Sequence, residues 1–394
     1  MSLDKDINRL RGETPGCQQL IHFNNAGFSL SPAAVVENVI AHLQLEQKLG
    51  GYEAAEQAAQ KTDNFYRAFA RMLNCQPEEV AYIENATRAW DMAFYAIPFK
   101  PGDQVITGQT EYASNYLAML QLQKRLGIEI VVIPDSEAGT ICLDALRQNI
   151  SAKSKLIALT HIPSQIGTVQ PAEEVGEIAR AHGLLYLLDA CQSAGQVPLD
   201  TQKLQCDLLT GTGRKYLRGP RGTGFLFVNK DILDQLEPPF IDLHSAQWVD
   251  ENHYQFRNDA KRFENWECFV AGKIGLGVAV DYACDLGLQN IRNRVQQLAS
   301  LLVKGLGEVP EITLHEQPGN LSGILTFSKA DEDAVSLQKR LRNAAINTSV
   351  SKRANAVLDA KRRGVDDVNR ASLHYYNTEQ EIEKFIAELS RNGP

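Results

Sequence analysis

The sequence predicts an α/β fold in which a large domain with a mostly parallel central sheet carries a smaller α+β C-terminal domain. Chain length is the first observation: 394 residues exceed what one hydrophobic core usually supports. The second is the alternation of short β-rich runs with helical periods between about residues 60 and 230. The third is a change of texture beyond about residue 275, where longer helical patterns surround shorter β-like runs.

Taken in order, the β-rich runs are AYI (81–83), QVITG (104–108), IEIVVIP (128–134), KLIALTH (155–161), LLYLLDA (184–190), CDLLTGT (206–212) and GFLFVN (224–229). Helix-like stretches such as TRAWDMAFYAI and PAEEVGEIARAHG separate them. Strands rich in Ile, Val and Leu with helices between them imply a mostly parallel sheet covered on both faces. In the later segment GLGVAVDYACDLG, NIRNRVQQLASLLVKGLGEV and EQEIEKFIAELS read as helices around LSGILTFS and RASLHYY. The expected division is a large domain over 20–270 and a small domain formed by 271–394 with 1–19.

Composition narrows the function classes. The apolar fraction of 44% is ordinary for a globular protein, and a net charge of −8 is spread over interspersed acids and bases. That balance argues against a nucleic-acid partner, which calls for a basic, phosphate-tracking surface. The N-terminal MSLDKDINRLRGE has no apolar core to serve as a secretory signal, and no run of about 18 apolar residues suggests a membrane span. The seven cysteines are scattered, without a CxxC pair or metal-ligand spacing. They read as reduced thiols in a cytoplasmic protein, and no metal site is expected.

In parallel sheets ligands sit outside the carboxyl ends of the strands, so residues just after each run are the candidates for chemistry. Asp189 closes LLYLLD, an apolar run that buries a carboxylate in need of a cationic or hydrogen-bonding partner. Gln192 follows within one turn. Lys215 lies in GTGRKYLRGPRGTG, a glycine-rich loop directly after the next run, where a lysine is placed to form a Schiff base. Pyridoxal 5′-phosphate (PLP) requires this combination: a lysine for its aldehyde, a carboxylate for its pyridine nitrogen and donors for its phosphate. The backbone amides of NAT (85–87) and the Thr87 hydroxyl, at the start of an amphipathic helix, suit the phosphate. Thr212 and Arg214 flank the lysine and add donors, and Tyr112 is placed to lie flat on the ring. Each residue alone has a plain structural reading, as a cap, a solvated lysine or a capping turn. Their order at successive strand ends favours the joint one. No GxGxxG after a strand, GxxxxGK[ST], HExxH or GxSxG motif points elsewhere.

The chain also resembles, over nearly its whole length, the class V aminotransferase and cysteine desulfurase group of fold-type I PLP-dependent enzymes. The matching pieces are FNNAG (23–27), ENATRA (84–89), TEYASN (110–115), THIPSQIGTVQP (160–171), LLDACQSAGQVPLD (187–200), GTGRKYLRGPRGTGFLFV (211–228), RFENWE (262–267) and VNRASLHYYNTEQEIE (368–383). The resemblance implies that Lys215 is the Schiff-base lysine and Asp189 the partner of the pyridine nitrogen. It sets Gln192 near the phenolic oxygen, Tyr112 at the ring-stacking position, and Ala86, Thr87, Thr212 and Arg214 in the phosphate cup. Arg370 falls where an arginine grips the substrate carboxylate, a bidentate task suited to guanidinium, and Asn25 falls among the substrate-binding positions. Homodimers with shared active sites are implied as well.

Departures from the family pattern shape the expected reaction. The stretch AINTSVSKRANAVLDAKRRG, where desulfurases carry a persulfide-forming cysteine, contains none, which argues against direct persulfide transfer by that route. Ser164 stands where many relatives have Asn beside the cofactor oxygen. Asn265 and Trp266 replace the residues that often include a phosphate-binding Thr, and suit contact with the cofactor or substrate of a neighbouring subunit. The motif style is most similar to cysteine C–S lyases and isopenicillin-N-epimerase-like proteins. A small amino acid is therefore the expected substrate, with β-elimination giving pyruvate and ammonia as the first reading, transamination next and epimerisation third. A non-catalytic scaffold has no need of a lysine paired with an electron-sink carboxylate.

Overall fold

A computed structural model of the chain describes residues 3–391 except 317, 318 and 320. Each of the seven β-rich runs forms a strand: β1 (Val80–Ile83), β2 (Gln104–Gly108), β3 (Glu129–Ile133), β4 (Ser154–Thr160), β5 (Leu185–Asp189), β6 (Leu208–Thr212) and β7 (Gly224–Val228). They make one sheet in the order β1-β7-β6-β5-β4-β2-β3. Neighbours from β6 to β3 run parallel, while β7 is antiparallel to both β6 and β1. The antiparallel strand follows from the loop at 213–223, which is too short to carry a parallel crossover.

The apolar runs are continuous because both faces are buried, and their alternation assigns each residue to a face. Tyr186 and Leu188 of β5 join Ile157, Leu209 and Phe225 in one core cluster, beneath helices α1 (Ala33–Leu49) and α2 (Ala59–Leu73). Leu187 joins Val105, Ala158, Leu208 and Leu226 in a second cluster, covered by α3 (Ala86–Tyr95) and α4 (Ala113–Leu126). Fully buried Leu187 and Leu188 each contribute roughly 1.5–3 kcal/mol to folding. One step further along this alternation, Asp189 falls on the face of α3 and α4.

After the main sheet the chain forms a hairpin, β8 (Ala246–Asp250) and β9 (His253–Phe256), whose Trp248 is 71% exposed. The later residues build a four-stranded antiparallel sheet from β10 (Ile312–Leu314), β11 (Ile324–Lys329), β12 (Ser349–Ser351) and β13 (Val368–Ser372), in the order β10-β11-β13-β12. Helices Leu288–Gly307, Ala334–Asn343 and Glu379–Leu389 bury their apolar faces against it. The RASLHYY run is a strand only as far as Ser372 and then turns. Two segments interleave the halves: Ile21–His22 pairs in parallel with Ile346–Asn347 beside the small sheet, whereas helix Val270–Leu286 packs on α1 and α2. No helix among the described residues is long and apolar enough to cross a membrane.

Candidate active site

At the carboxyl ends of β4, β5 and β6 a cavity of about 340 Å³ opens on the α3/α4 face. Alternation explains its polar lining: Thr160, Asp189 and Thr212 each continue the parity of an apolar series (Leu156 and Ala158, Leu187, Leu208) just beyond the point where the helices cover it. Of the residues expected from sequence, Ala86, Thr87, Tyr112, Ser164, Asp189, Gln192, Thr212, Arg214 and Lys215 all line this cavity.

Asp189 is 4% exposed. Its Oδ2 accepts from Asn115 Nδ2 at 2.8 Å and its Oδ1 from the backbone N–H of Cys191 at 2.8 Å. Both donors are neutral, and no cation among the described residues forms an ion pair with it. Lys215 is also buried, and its Nζ stands 5.9 Å from the centre of the Tyr112 ring. Burial pushes this amine below the usual lysine range; Cys191 and Asp189 oppose the shift, and the Arg214 and Arg370 charges reinforce it.

The opposite end of the cavity is cationic and rich in donors. Asn85 caps α3 by accepting from Arg88 N at 3.0 Å, so the Ala86 and Thr87 amides at the helix start face the cavity. Gly224 makes this approach feasible, since a Cβ there would lie 2.8 Å from the Gly211 carbonyl oxygen and 3.1 Å from Asn85 Cα. Arg214 Nη1 and Gln192 Oε1 are buried without hydrogen-bond partners among the described residues, a costly condition unless a ligand completes them. Gln192 uses its other end to donate to the Ala26 carbonyl at 3.1 Å.

Three expected residues lie off the lining. Arg370, on β13, donates through Nη1 to the carbonyl of Ser164 at 2.9 Å and through Nε to Ser349 Oγ at 3.0 Å. It forms no ion pair among the described residues, and burial lowers its pKa. Asn25 is fully buried away from the cavity, where its amide donates to the Ser372 carbonyl at 2.7 Å and its Oδ1 accepts from Tyr376 Oη. Asn265 is exposed and separate from the cavity of its own chain. His244 and His253 lie outside the lining: His244 bonds Glu264 at 3.1 Å, and His253 sits at the hairpin tip on Asp250.

Sequence reasoning missed Glu111, Asn115, Cys191 and Arg221. Cys191 and Arg221 line the cavity. Glu111 sits behind Tyr112, where its Oε1 accepts from Thr160 Oγ1 at 2.5 Å, Tyr112 N at 2.7 Å and Asn115 Nδ2 at 2.9 Å. The Asn115 amide thus spans two carboxylates, Glu111 and Asp189. Burial pushes Glu111 up to about 7, with the Asp189 charge adding to the shift and the three donors opposing it. The available signal was position: Glu111 follows β2 closely, and Asn115 comes one helical turn later.

Residues 21–385 match the family model of Aminotransferase class-V. The chain belongs to that family. Probable cysteine desulfurases of Synechocystis sp. and Methanothermobacter thermautotrophicus are 30% and 28% identical, over 94% and 95% of this chain and 90% and 95% of theirs. Among solved structures, the apo cysteine desulfurase from Thermococcus onnurineus NA1 superposes with a TM-score of 0.90 at 26% identity, covering 97% of each chain. The cystine C–S lyase C-DES, solved with its product cysteine persulfide, superposes with a TM-score of 0.87 at 23% identity, over 97% of this chain and 100% of that one. As a class-V aminotransferase family member the chain is a PLP-dependent enzyme of fold type I.

Proposed function

We propose that the protein is a C–S lyase that removes sulfur from cysteine, cystine or a cysteine S-conjugate by β-elimination, releasing pyruvate and ammonia. The observation that carries this reading is the pairing, within one cavity, of a buried lysine and a buried carboxylate that has only neutral donors. The residues fit PLP. Lys215 would hold its aldehyde, Asp189 its pyridine nitrogen, Tyr112 its ring face and Gln192 its phenolic oxygen, beside Ser164. The Ala86 and Thr87 amides, Thr212 and the open Arg214 Nη1 would take its phosphate. When bound, PLP supplies an electron sink for charge developing at the substrate α-carbon.

The protein's own groups do the rest. Arg370, half-buried and without a carboxylate partner among the described residues, would hold the substrate carboxylate through its fork. Lys215, whose amine burial pushes below the usual lysine range, would be placed to accept the α-proton of a bound substrate. Elimination is favoured over a protein persulfide because residues 345–367 contain no cysteine. The one cysteine on the cavity lining, Cys191, has its thiol pushed up to about 12 by burial, with Asp189 adding to the effect. At neutral pH it is a poor thiolate nucleophile.

The relatives' names keep desulfuration to alanine as the competing outcome, and the family keeps transamination. Incubation with L-cysteine and L-cystine, with and without a keto acid and a thiol reductant, separates them. Pyruvate with released sulfide or persulfide is expected. Alanine as the main product, or a new amino acid formed only with keto acid, would overturn elimination. We also assign the protein to a cytoplasmic homodimer in which Asn265 and Trp266 approach the neighbouring active site. The exposed stripe Val36, Ile40 and Leu43 on α1, together with Trp248 and Trp266, supports an apolar interface. Sedimentation of the holoenzyme at micromolar concentration tests it, and a monomer would refute it.

A further inference from the structure

Arg218, three residues after Lys215, is 1% exposed and takes no part in the cavity lining. Its backbone has φ +62°, a left-handed conformation that costs a non-glycine residue about 1–2 kcal/mol. Its position closes the lysine loop: Arg218 N donates to the Lys215 carbonyl at 2.9 Å, Gly219 N to Gly213 O at 2.7 Å and Gly213 N to Thr223 O at 2.9 Å.

Among the described residues the guanidinium forms no ion pair with a carboxylate and is satisfied in another way. Nε donates to the Leu30 carbonyl at 2.7 Å, Nη2 to Thr14 Oγ1 at 2.6 Å and Nη1 to Tyr375 Oη. The rings of Tyr376 and Tyr375 lie 4.5 and 5.2 Å from its central carbon. A parallel tie joins the same two segments, since His374 Nε2 pairs with the Tyr216 carbonyl at 2.9 Å while His374 Nδ1 accepts from Tyr375 N. Asn25 secures the far side by donating to the Ser372 carbonyl. Arg218 and His374 thus join the Lys215 loop to the turn that directly continues β13, the strand of Arg370; Arg218 also ties the loop to the N-terminal segment at Thr14 and Leu30, and Asn25 joins that segment to Ser372 at the end of β13.

We propose that Arg218 is a positioning residue that braces the Lys215 loop against the strand of Arg370, fixing the separation between the groups that meet a substrate's amine and its carboxylate. Lysine cannot replace it: three acceptors in divergent directions and stacked rings require a planar fork. The inference rests on the proposed roles of Lys215 and Arg370, whereas the brace itself does not.

The test uses Tyr375→Phe, which removes one hydroxyl and keeps the ring, and Arg218→Lys, which keeps the charge. Hydrogen exchange of the cofactor-free full chain reads the brace alone. Segments 213–222 and 368–377 are expected to lose protection together in both variants, and loss in only one segment would overturn the coupling. In the PLP-loaded protein, the pH midpoint of the cofactor's visible absorbance is expected to shift. A displacement of order 1 Å can cost on the order of 100-fold, so kcat/KM for amino acids is expected to fall at least ~10-fold. That for the matching amine, which lacks the carboxylate, should change less than ~2-fold. A lowered Tm with an unmoved absorbance midpoint and an unmoved amino acid to amine ratio would make the brace merely structural. Absence of a visible band in the unaltered protein would sink the PLP roles instead, leaving exchange to decide the brace.

Discussion

Two carboxylates are buried to nearly the same degree, Glu264 against the edge strand β1 and Asp189 at the end of the central strand β5, and their surroundings differ in kind. Glu264, 5% exposed, accepts from Tyr66 Oη and Tyr82 N at 2.8 Å each and pairs with His244 at 3.1 Å and Lys273 at 3.8 Å. Burial alone would raise its pKa, but Lys273, His244 and the other donors bring it below the usual range. Asp189, 4% exposed, has two neutral donors and no ion pair among the described residues. A buried charge is costly until paired. Glu264 is paired inside the chain and fixes the segment before the exposed Trp266, whereas Asp189 keeps its demand for a cationic ligand.

The contrast is broken most forcefully at Asp189. Asp189→Asn is expected to lower turnover roughly 100- to 1000-fold with little change in Tm, measured by steady-state kinetics beside thermal unfolding. Unchanged turnover would remove the carboxylate from the chemistry. Arg370→Ala comes next, raising KM for amino acids by about 2–4 kcal/mol in kcat/KM terms while sparing amines without a carboxylate. Equal damage to both substrates would deny Arg370 its clamp role.

Glu264→Gln should show the opposite profile. Stability at neutral pH is expected to fall by about 1–3 kcal/mol, with turnover per folded molecule retained. Because the folded pKa of Glu264 is depressed, its contribution is present above the unfolded value of 4.5 and lost as pH falls below it. The deficit of the variant should therefore shrink in acid, as denaturant titrations at pH 7 and pH 4 would reveal. Glu111→Gln is the smallest effect and has the reverse sign. The folded pKa of Glu111 is raised to about 7, so the contribution of its neutral form is lost as pH rises through that value. The variant, which mimics the protonated form, is expected to gain stability relative to the parent at pH 8 compared with pH 5. A constant difference across that range would show that Glu111 does not titrate there.

Much of this was legible in the sequence. All seven strands of the main sheet were readable because burial on both faces leaves nearly unbroken Ile, Val and Leu. Asp189, Gln192, Thr212 and Lys215 were readable as cavity residues because they end or closely follow such runs. The antiparallel setting of β7 was not, since an apolar run carries no direction. Glu111 and Asn115 escaped notice because a Glu and an Asn at a helix start have an ordinary capping use, and only the fold brings Asn115 to Asp189. Asn25 was attributed to the substrate from a motif match, but its amide is consumed in joining the N-terminal segment to Ser372 and Tyr376. Arg218 sat in a quoted motif without a role because its partners at Thr14, Leu30 and Tyr375 are remote in sequence.

The central claim is that the cavity lysine carries the cofactor. Reducing the yellow holoenzyme with borohydride, digesting it and sequencing the fluorescent peptide by mass spectrometry tests this directly. The pyridoxyl phosphate mass is expected on Lys215, with no such peptide from Lys215→Ala protein treated alike. A label on another lysine, or no label from a protein fully loaded with PLP, would contradict it.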